Sequence, residues 1–508
     1  MIAAAADCGC RLQGINMSRY VLSIDQSTQG TKALLFDEGG ALICRTDLPH
    51  RQIVNDKGWV EHDLMEIRAN TIQTVRNLVE KAGIDKNDIA VLGISNQRET
   101  AACWDKITGK PVYNAIVWQC ARAAQICKEI EAAGKADMIR EKTGLALSPY
   151  FSGAKLAWIF QNVEGVSEKA KKGEIAVGTI DSWLVYSLTG GKRFQTDYSN
   201  ASRTQLFNIT DLCWDKDILE IFGIDPSCMA EVTDSDGDYG ETDFDGYLDS
   251  PIPIRGVMGD SHGALFGQGC LTPGMIKTTY GTGSSIMMNI GEKPVFSPTG
   301  EVVTSLAWGM GGKVNYVLEG NINYTGAVVT WMKDDAKLIS SAKETEAIAR
   351  SANPGDHTYL VPAFSGLGAP YWDSDARAAF IGMSRTTGQA ELVKAGLDSI
   401  AYQITDIVKA MGETASLPIG ELRVDGGPTG NAYLMQFQSD LLGIPVRVPD
   451  SEELSGIGAA YAAGLSEGIF TDEVFHVLKR SSYLPQMAAE ERDEKYAGWK
   501  DAVRRVRS

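Results

Sequence analysis

The sequence predicts an α/β protein built from two related halves that face one phosphate-bearing ligand. Tyr20 to Phe36 reads as an apolar strand, a polar turn (Asp25-Gln26-Ser27-Thr28-Gln29-Gly30-Thr31) and a second strand. Met275 to Ile290 repeats that pattern around Tyr280-Gly281-Thr282-Gly283-Ser284-Ser285. Between and beyond these segments, strands alternate with amphipathic helices. A turn of Gly, Ser and Thr offers hydroxyls and close-lying N–H groups, which hold phosphate oxygens. One such turn is also an ordinary chain reversal. Two of them, roughly half a chain apart, point to two lobes on one polyphosphate.

The elements follow in order. The spacing of Leu64, Ile67, Ile72, Val75 and Leu78 predicts a helix over Asp63–Ala82, ended by Gly83. Ile89–Ile94 is a continuous apolar run, as in a strand buried on both faces. Thr108–Pro111 is a turn between two further strands, and Ala115–Val117 is a strand ending at Trp118. In the second half, Ile254–Met258 is a strand running into Gly259-Asp260. Gln389–Met411 is a long amphipathic helix, and Leu422–Asp425 is a short strand. Gly426-Gly427 then opens a helix over Asn431–Leu442, closed by Gly443. Leu318 to Gly326, with Gly320 and Gly326, reads as a second glycine loop. The boundary falls near Gly269–Pro273. This gives an N-terminal domain over 17–270 (acceptor and first phosphate hairpin) and a C-terminal domain over 271–508 (nucleotide). Residues 1–16 read as a disordered tail or a mis-assigned start, since Met17 stands just before the first strand.

Composition narrows the function. The chain has 508 residues, 44% hydrophobic and 22% charged, enough for two large cores. A net charge of −17 argues against nucleic acid or an anionic membrane as partner. No apolar run approaches the roughly 18 residues of a membrane span. The nine scattered cysteines fit reduced thiols in a cytoplasmic protein, and the five histidines show no zinc-ligand spacing.

Several residues stand where chemistry is done. Arg98 and Glu99 follow the carboxyl end of the Ile89–Ile94 strand, where open α/β sheets bind ligands. Such a pair can hold hydroxyl groups, or can be a surface ion pair. Trp118 and Tyr150 are aromatic faces beside polar groups, suited to the C–H side of a polyol and equally to a core. Asp260 ends an apolar strand at a helix start. Phosphoryl transfer to an alcohol needs a carboxylate there to take the hydroxyl proton, and a helix N-cap is the structural alternative. Asp25, before the first tip, is placed to hold Mg²⁺ through water, and Lys32 to neutralise a phosphate.

Taken together, Gly58–Asp63, Asn96–Thr100, Asn114–Cys120, Pro149–Gly153, Thr196–Arg203, Tyr280–Gly283, Pro362–Trp372 and Val424–Gly427 resemble the FGGY carbohydrate kinases, and within them the glycerol-phosphorylating branch. The resemblance runs from about Tyr20 to Gly468. It implies the two-domain ribonuclease H-like fold shared with actin, hexokinase and the Hsp70 ATPase domain, with a central interdomain cleft. It also implies ATP and Mg²⁺ as cofactors and a polyol or sugar as acceptor, and leaves a homo-oligomer, dimer or tetramer, open. By similarity, Arg98, Glu99, Trp118, Tyr150 and Asp260 line the acceptor site, with Asp260 as base. Thr28, Gln29, Lys32, Thr282, Gly326, Gly427 and Asn431 take nucleotide-contacting positions, and Asp25 assists Mg²⁺.

Four positions depart from that branch. Ser261 stands for a Gln after the catalytic Asp, Ser285 for a Phe walling the pocket, Lys32 for an Arg, and Thr330 for a Gln on the adenine side. A regulatory glycine loop found in some bacterial members has no counterpart between Gly240 and Pro253. Phe to Ser and Gln to Ser open and wet the pocket. They lead to the expectation of an acceptor larger than glycerol, such as erythritol, arabitol, xylulose or ribulose. The rival of another class is an actin- or Hsp70-like assembly protein, which would have no use for the Arg98–Glu99–Asp260 constellation. A catalytically dead sugar sensor is a third reading, against which the intact Asp260 and Thr282 stand.

Overall fold

The computed structural model describes residues 19–507, so the opening segment Met1–Asn16 lies outside them. In the first half, β1 (Tyr20–Gln26), β2 (Gly30–Phe36), β3 (Leu42–Pro49), β4 (Ile89–Asn96), β5 (Glu241–Thr242) and β6 (Ile252–Gly259) form one sheet in the order β5-β6-β4-β1-β2-β3. In the second half, β7 (Ile276–Tyr280), β8 (Ser284–Gly291), β9 (Val303–Met310), β10 (Lys313–Ile322), β11 (Leu422–Asp425), β12 (Val446–Pro449) and β13 (Arg480–Tyr483) form another, in the order β9-β10-β8-β7-β11-β12-β13. The runs β3-β2-β1-β4-β6 and β10-β8-β7-β11-β12 pair in the same sense: antiparallel twice, then parallel twice. The repeat seen in the two hairpins therefore extends to five strands of each sheet.

Local chemistry explains the helices that place the site. In α1 (Leu64–Ala82), the Asp63 side chain accepts from the N–H groups of Met65 and Glu66, and Gly83 ends the helix at φ 67°. Its apolar stripe is buried on the first sheet. Next come α2 (Asp260–Gly267), α3 (Gly326–Asp334), α4 (Gln389–Ala415), α5 (Ala432–Leu442) and α6 (Leu454–Ser466). Asn431 caps α5 by accepting from Leu434 N at 3.0 Å, and Gly443 closes it. Gly320 is not in a loop: it lies inside β10, where a Cβ would stand 2.6 Å from the Ile407 side chain of α4.

The helices α2 and α6 follow the corresponding parallel strands of the two halves, and they pack on each other. The α6 sequence is rich in Gly and Ala, seven of its thirteen residues, because backbone meets backbone there. A Cβ on Gly93 or Gly256 would stand 2.3 or 2.2 Å from the Ala459 carbonyl oxygen, and one on Gly458 would stand 1.9 Å from that of Gly263. Thus α6 lies C-terminal to residue 270 yet packs on the first sheet. One apolar core joins Val21, Val91 and Met258 of the first half to Met287, Val317 and Ala460 of the second. Among the described residues no helix is long and apolar enough to cross a membrane, and the seven described cysteines are free thiols, five of them buried.

Candidate active site

The first tip, Ser27-Thr28-Gln29, joins β1 to β2 and touches the aromatic pair directly. Trp118 Nε1 donates to Thr28 Oγ1 at 2.9 Å, and the Trp118 and Tyr150 rings meet edge-on with centroids 5.6 Å apart. Tyr150 is held from behind by Lys155, whose buried ammonium donates to the carbonyls of Tyr150 and Phe151. Burial lowers that ammonium to a pKa of about 7, against the pull of Glu99. Burial, aided by Glu99, pushes the Tyr150 phenol far up, so it is a hydrogen-bonding group and not an acid. The Gln29 side chain stands exposed at the tip and makes no hydrogen bond among the described residues.

Asp260 sits at the mouth of α2 as its first residue, with Gly259 in the N-cap place. It is therefore not the cap that the sequence alternative offered. Its Oδ1 accepts from Ser261 N at 2.6 Å and lies 3.1 Å from Arg98 Nε, and the side chain is 36% exposed. Arg98 is itself locked: Nη2 and Nη1 donate to Glu319 Oε1 and Oε2 at 2.9 and 3.2 Å. Glu319 also pairs with Arg203 at 2.7 Å, and Arg203 Nε donates to Glu99 Oε1 at 2.6 Å. Cations and carboxylates so alternate from Glu99 to Asp260, all but Asp260 buried. Burial works against the Arg98 charge, yet Glu319 and Glu99 hold its pKa well above the usual value. Burial likewise opposes ionised Glu319, but Arg203 and Arg98 keep it far below the carboxylate range. Glu99 is held at φ 58°, a left-handed conformation costly for a residue with a Cβ and typical of sites where geometry is imposed. Arg98 and Glu99 therefore belong to a buried network and are not a surface pair.

Asp25 ends close enough to Asp260 for the two carboxylates to feel each other. Burial chiefly raises its pKa to about 6 despite Lys32, with Asp260 and Glu453 adding to the rise. Its Oδ1 makes no hydrogen bond of ordinary geometry. Lys32 Nζ is 3.9 Å from Asp25 Oδ2 but bonds Glu453 Oε2 at 2.7 Å, so its charge is already largely compensated. Ser285 faces Thr279 and Asn321 across β8, with its Oγ buried and unpartnered. Ser261 is half-buried beside Asp260.

On the second lobe, Gly326, Thr330, Gly427 and Asn431 line a cavity of about 830 Å³. The second tip abuts it: Gly326 N donates to Gly281 O at 2.9 Å, and Thr325 N and Ala327 N both donate to Thr282 O at 3.0 Å. The Asn431 amide is engaged at both ends, capping α5 and donating to Thr345 Oγ1 at 3.1 Å.

Sequence reasoning missed Glu319, Arg203 and Lys155. A signal existed for Glu319, a lone charge in the apolar run Tyr316-Val-Leu-Glu-Gly320.

The family model of the N-terminal domain of FGGY carbohydrate kinases matches residues 20–267, and that of the C-terminal domain matches 276–467. Glycerol kinase 1 of Thermotoga maritima is 51% identical over 490 residues, 96% of this chain and 99% of that protein. The glycerol kinase of Caldanaerobacter subterraneus subsp. tengcongensis is 48% identical over 495 residues, 96% and 99% of the two chains. The crystal structure of Plasmodium falciparum glycerol kinase with ADP matches with a TM-score of 0.91 at 37% identity, covering 96% of this chain and 98% of that one. A ligand-bound xylulose kinase from Lactobacillus acidophilus, at 21% identity and a TM-score of 0.84 over 95% and 96% of the chains, shows the shared fold.

A duplicated ribonuclease H-like sheet, with an arginine–carboxylate network joining the two halves and a cavity of about 830 Å³ on the second, defines a two-lobed phosphotransferase with an alcohol group as acceptor. The chain belongs to the FGGY family of carbohydrate kinases. An assembly protein on the same fold is not favoured.

Proposed function

We propose that this kinase moves the γ-phosphoryl group of MgATP to a terminal hydroxyl of a short polyol, with glycerol as the reference acceptor and Asp260 as the base. The observation that supports it most is the placing of Asp260: partly exposed at a helix mouth, and aimed by an Arg98 that Glu319 holds rigid. Asp260 accepts the hydroxyl proton as the O–P bond forms and ADP departs. Arg98, Glu99 and Tyr150 orient the remaining hydroxyls, and Trp118 packs on the carbon face. Ser261 completes the wall beside the base. Thr28, Gln29, Lys32 and Thr282 hold the phosphates, while Gly326, Thr330, Gly427 and Asn431 hold the nucleoside. Asp25 fits Mg²⁺, since its buried Oδ1 lacks a partner and a carboxylate oxygen suits a hard cation that keeps its waters. The metal supplies charge neutralisation between the phosphates.

Ser285 favours a second reading. A buried, unpartnered hydroxyl where a Phe wall is expected suits an acceptor of four or five carbons. Product formation by wild type and Asp260→Asn across glycerol, erythritol, arabitol, xylulose and ribulose tests both readings. Asp260→Asn is expected to keep nucleotide affinity and lose about 10²–10⁴-fold in kcat. Retention of a tenth of wild-type turnover rules out the base. The highest kcat/KM marks the acceptor, and a C4 or C5 compound beating glycerol replaces the first reading with the second.

A further inference from the structure

Behind the first tip lies a polar network that takes no direct part in the chemistry above. His62, fully buried at the end of the short strand Val60–His62, is its centre. His62 Nε2 lies 2.8 Å from Gln52 Oε1, and Gln52 Nε2 donates to the Thr28 carbonyl at 2.6 Å. His62 Nδ1 lies 3.2 Å from Gln97 Nε2, which also faces Gln26 Oε1 at 3.0 Å and the Ser27 carbonyl at 3.3 Å. Thr100 Oγ1 donates to Gln97 Oε1 at 2.8 Å.

Every direction in this network is determined. The Thr28 carbonyl can only accept, so the Gln52 amide must turn its nitrogen there and its oxygen to His62. His62 therefore carries its proton on Nε2. The Ser27 carbonyl also can only accept, so Gln97 turns its NH₂ to that side, and His62 Nδ1, which shares the two hydrogens with the Ser27 carbonyl and Gln26 Oε1, must accept. A single neutral tautomer satisfies both arms. A protonated ring would set N–H against NH₂. Burial, with His50 edge-on at 4.4 Å, lowers the His62 pKa to about 3, which agrees with that requirement.

We infer that His62 is a positioning residue for the first phosphate tip, acting through Gln52 and Gln97 on the carbonyls of Thr28 and Ser27. The physical reason is electrostatic. A tip that binds phosphate must present hydrogens, and carbonyl oxygens turned toward an anion repel it. Amide donors on those two oxygens keep their negative ends on the protein side. The inference rests on the proposed role of the tip as a phosphate holder.

The test is calorimetric binding of the Mg²⁺ complex of a non-hydrolysable ATP analogue, followed by steady-state kinetics, on wild type, His62→Phe, His62→Asn and Gln52→Leu. His62→Phe keeps the ring and loses both arms. It is expected to weaken nucleotide binding and raise the KM for MgATP about tenfold, with a smaller change in the acceptor KM, which the tip reaches only through Trp118. His62→Asn places Oδ1 where Nδ1 stood, keeps the Gln97 arm and recovers part of the loss. Gln52→Leu breaks one arm with His62 intact, so about a threefold loss is expected, and this variant decides the matter should His62→Phe fail to fold. Unchanged nucleotide affinity in Gln52→Leu and His62→Phe, with only a lower Tm, overturns the inference. Wild type that binds the analogue without phosphorylating any polyol would instead overturn the acceptor reading and leave this readout intact.

Discussion

The two tips occupy the same place in the repeated sheet and are held by opposite means. Thr28 and Thr282 are each the middle of three residues between paired strands. The first tip is braced mainly by side chains: Gln52, Gln97 and Gln26 on the Thr28 and Ser27 carbonyls and Trp118 on the Thr28 hydroxyl, with one backbone donor, His50 N, on the Gln29 carbonyl at 3.2 Å. The second is braced by backbone, through the N–H groups of Thr325, Gly326 and Ala327. The neighbouring strand shows the same contrast. In register terms, Asn96 beside the first tip corresponds to Gly426 beside the second. Asn96 bonds Asn200 through its amide, whereas a Cβ on Gly426 would stand 2.1 Å from the Tyr280 carbonyl oxygen. A side-chain brace can be retuned one residue at a time; a backbone brace tolerates no added atom. The repeated sheet thus carries one adjustable tip and one fixed one.

The harshest way to break the contrast is Gly426→Ala. Gly426 sits at φ 98°, so alanine meets both a forbidden backbone region and the Tyr280 carbonyl. The expected result is a fall of about a hundredfold or more in kcat/KM for MgATP, with a lower Tm, since phosphate holders tolerate little displacement. Asn96→Ala at the matching place loses hydrogen bonds only and should cost about tenfold or less. Equal losses in the two variants would show that the tips do not differ in this way.

Sequence reasoning reached the parts whose signals are local. Both hairpins, the helix over Asp63–Ala82, the strand that delivers Asp260 and the helix over Asn431–Leu442 are all written in neighbouring residues. The parts it missed are long-range. Glu319 meets Arg98 across 221 positions, and nothing near either residue shows that they pair. A charge within an apolar strand signals a buried partner without naming it. Gly320 was misread for the same reason: its role is to make room for Ile407, a residue of a distant helix. Likewise α6 belongs to the second half by position but packs on the first sheet. Its run of small residues marked close packing without saying against what.

A milder probe uses protons. Asp25 of β1 corresponds in register to Thr279 of β7, so at this strand position the first tip carries a carboxyl and the second a hydroxyl, with Asp425 on the neighbouring strand there. The folded carboxyl has a pKa of about 6, above the unfolded value of 3.8. The folded state therefore holds a proton that the unfolded chain releases between those values, and stability falls as pH rises through that window, by about 3 kcal/mol in all. Lys32, Glu453 and Asp260 are the charged groups around it. Mg²⁺ needs the ionised form. Affinity for MgATP should thus rise roughly tenfold per unit up to about pH 6 and level off above it. The Tm gained on adding Mg²⁺ and nucleotide should be larger at pH 7 than at pH 5. In Asp25→Asn, both trends should flatten. A wild-type profile already flat from pH 5 to 7 would remove Asp25 from metal binding.

The smallest expected effect separates the two threonines. Thr28→Val keeps shape but removes the oxygen that accepts the Trp118 indole N–H at 2.9 Å. A half-buried donor is left unpaired, worth about 1 kcal/mol, or some fivefold. Because Trp118 meets Tyr150 edge-on in the proposed acceptor site, the loss should show in the acceptor KM as well as in the KM for MgATP. Thr282→Val on the other lobe removes only a phosphate contact, since that tip is held by its carbonyl. The KM for MgATP should rise there while the acceptor KM stays put. In wild type, Thr28 Oγ1 accepts from the indole and keeps its own proton free to donate, so on the proposed assignment one hydroxyl would touch both substrates' sites. The first tip can then report acceptor occupancy to the phosphates, and the second cannot. Identical kinetic signatures for the two valine variants would sever that link.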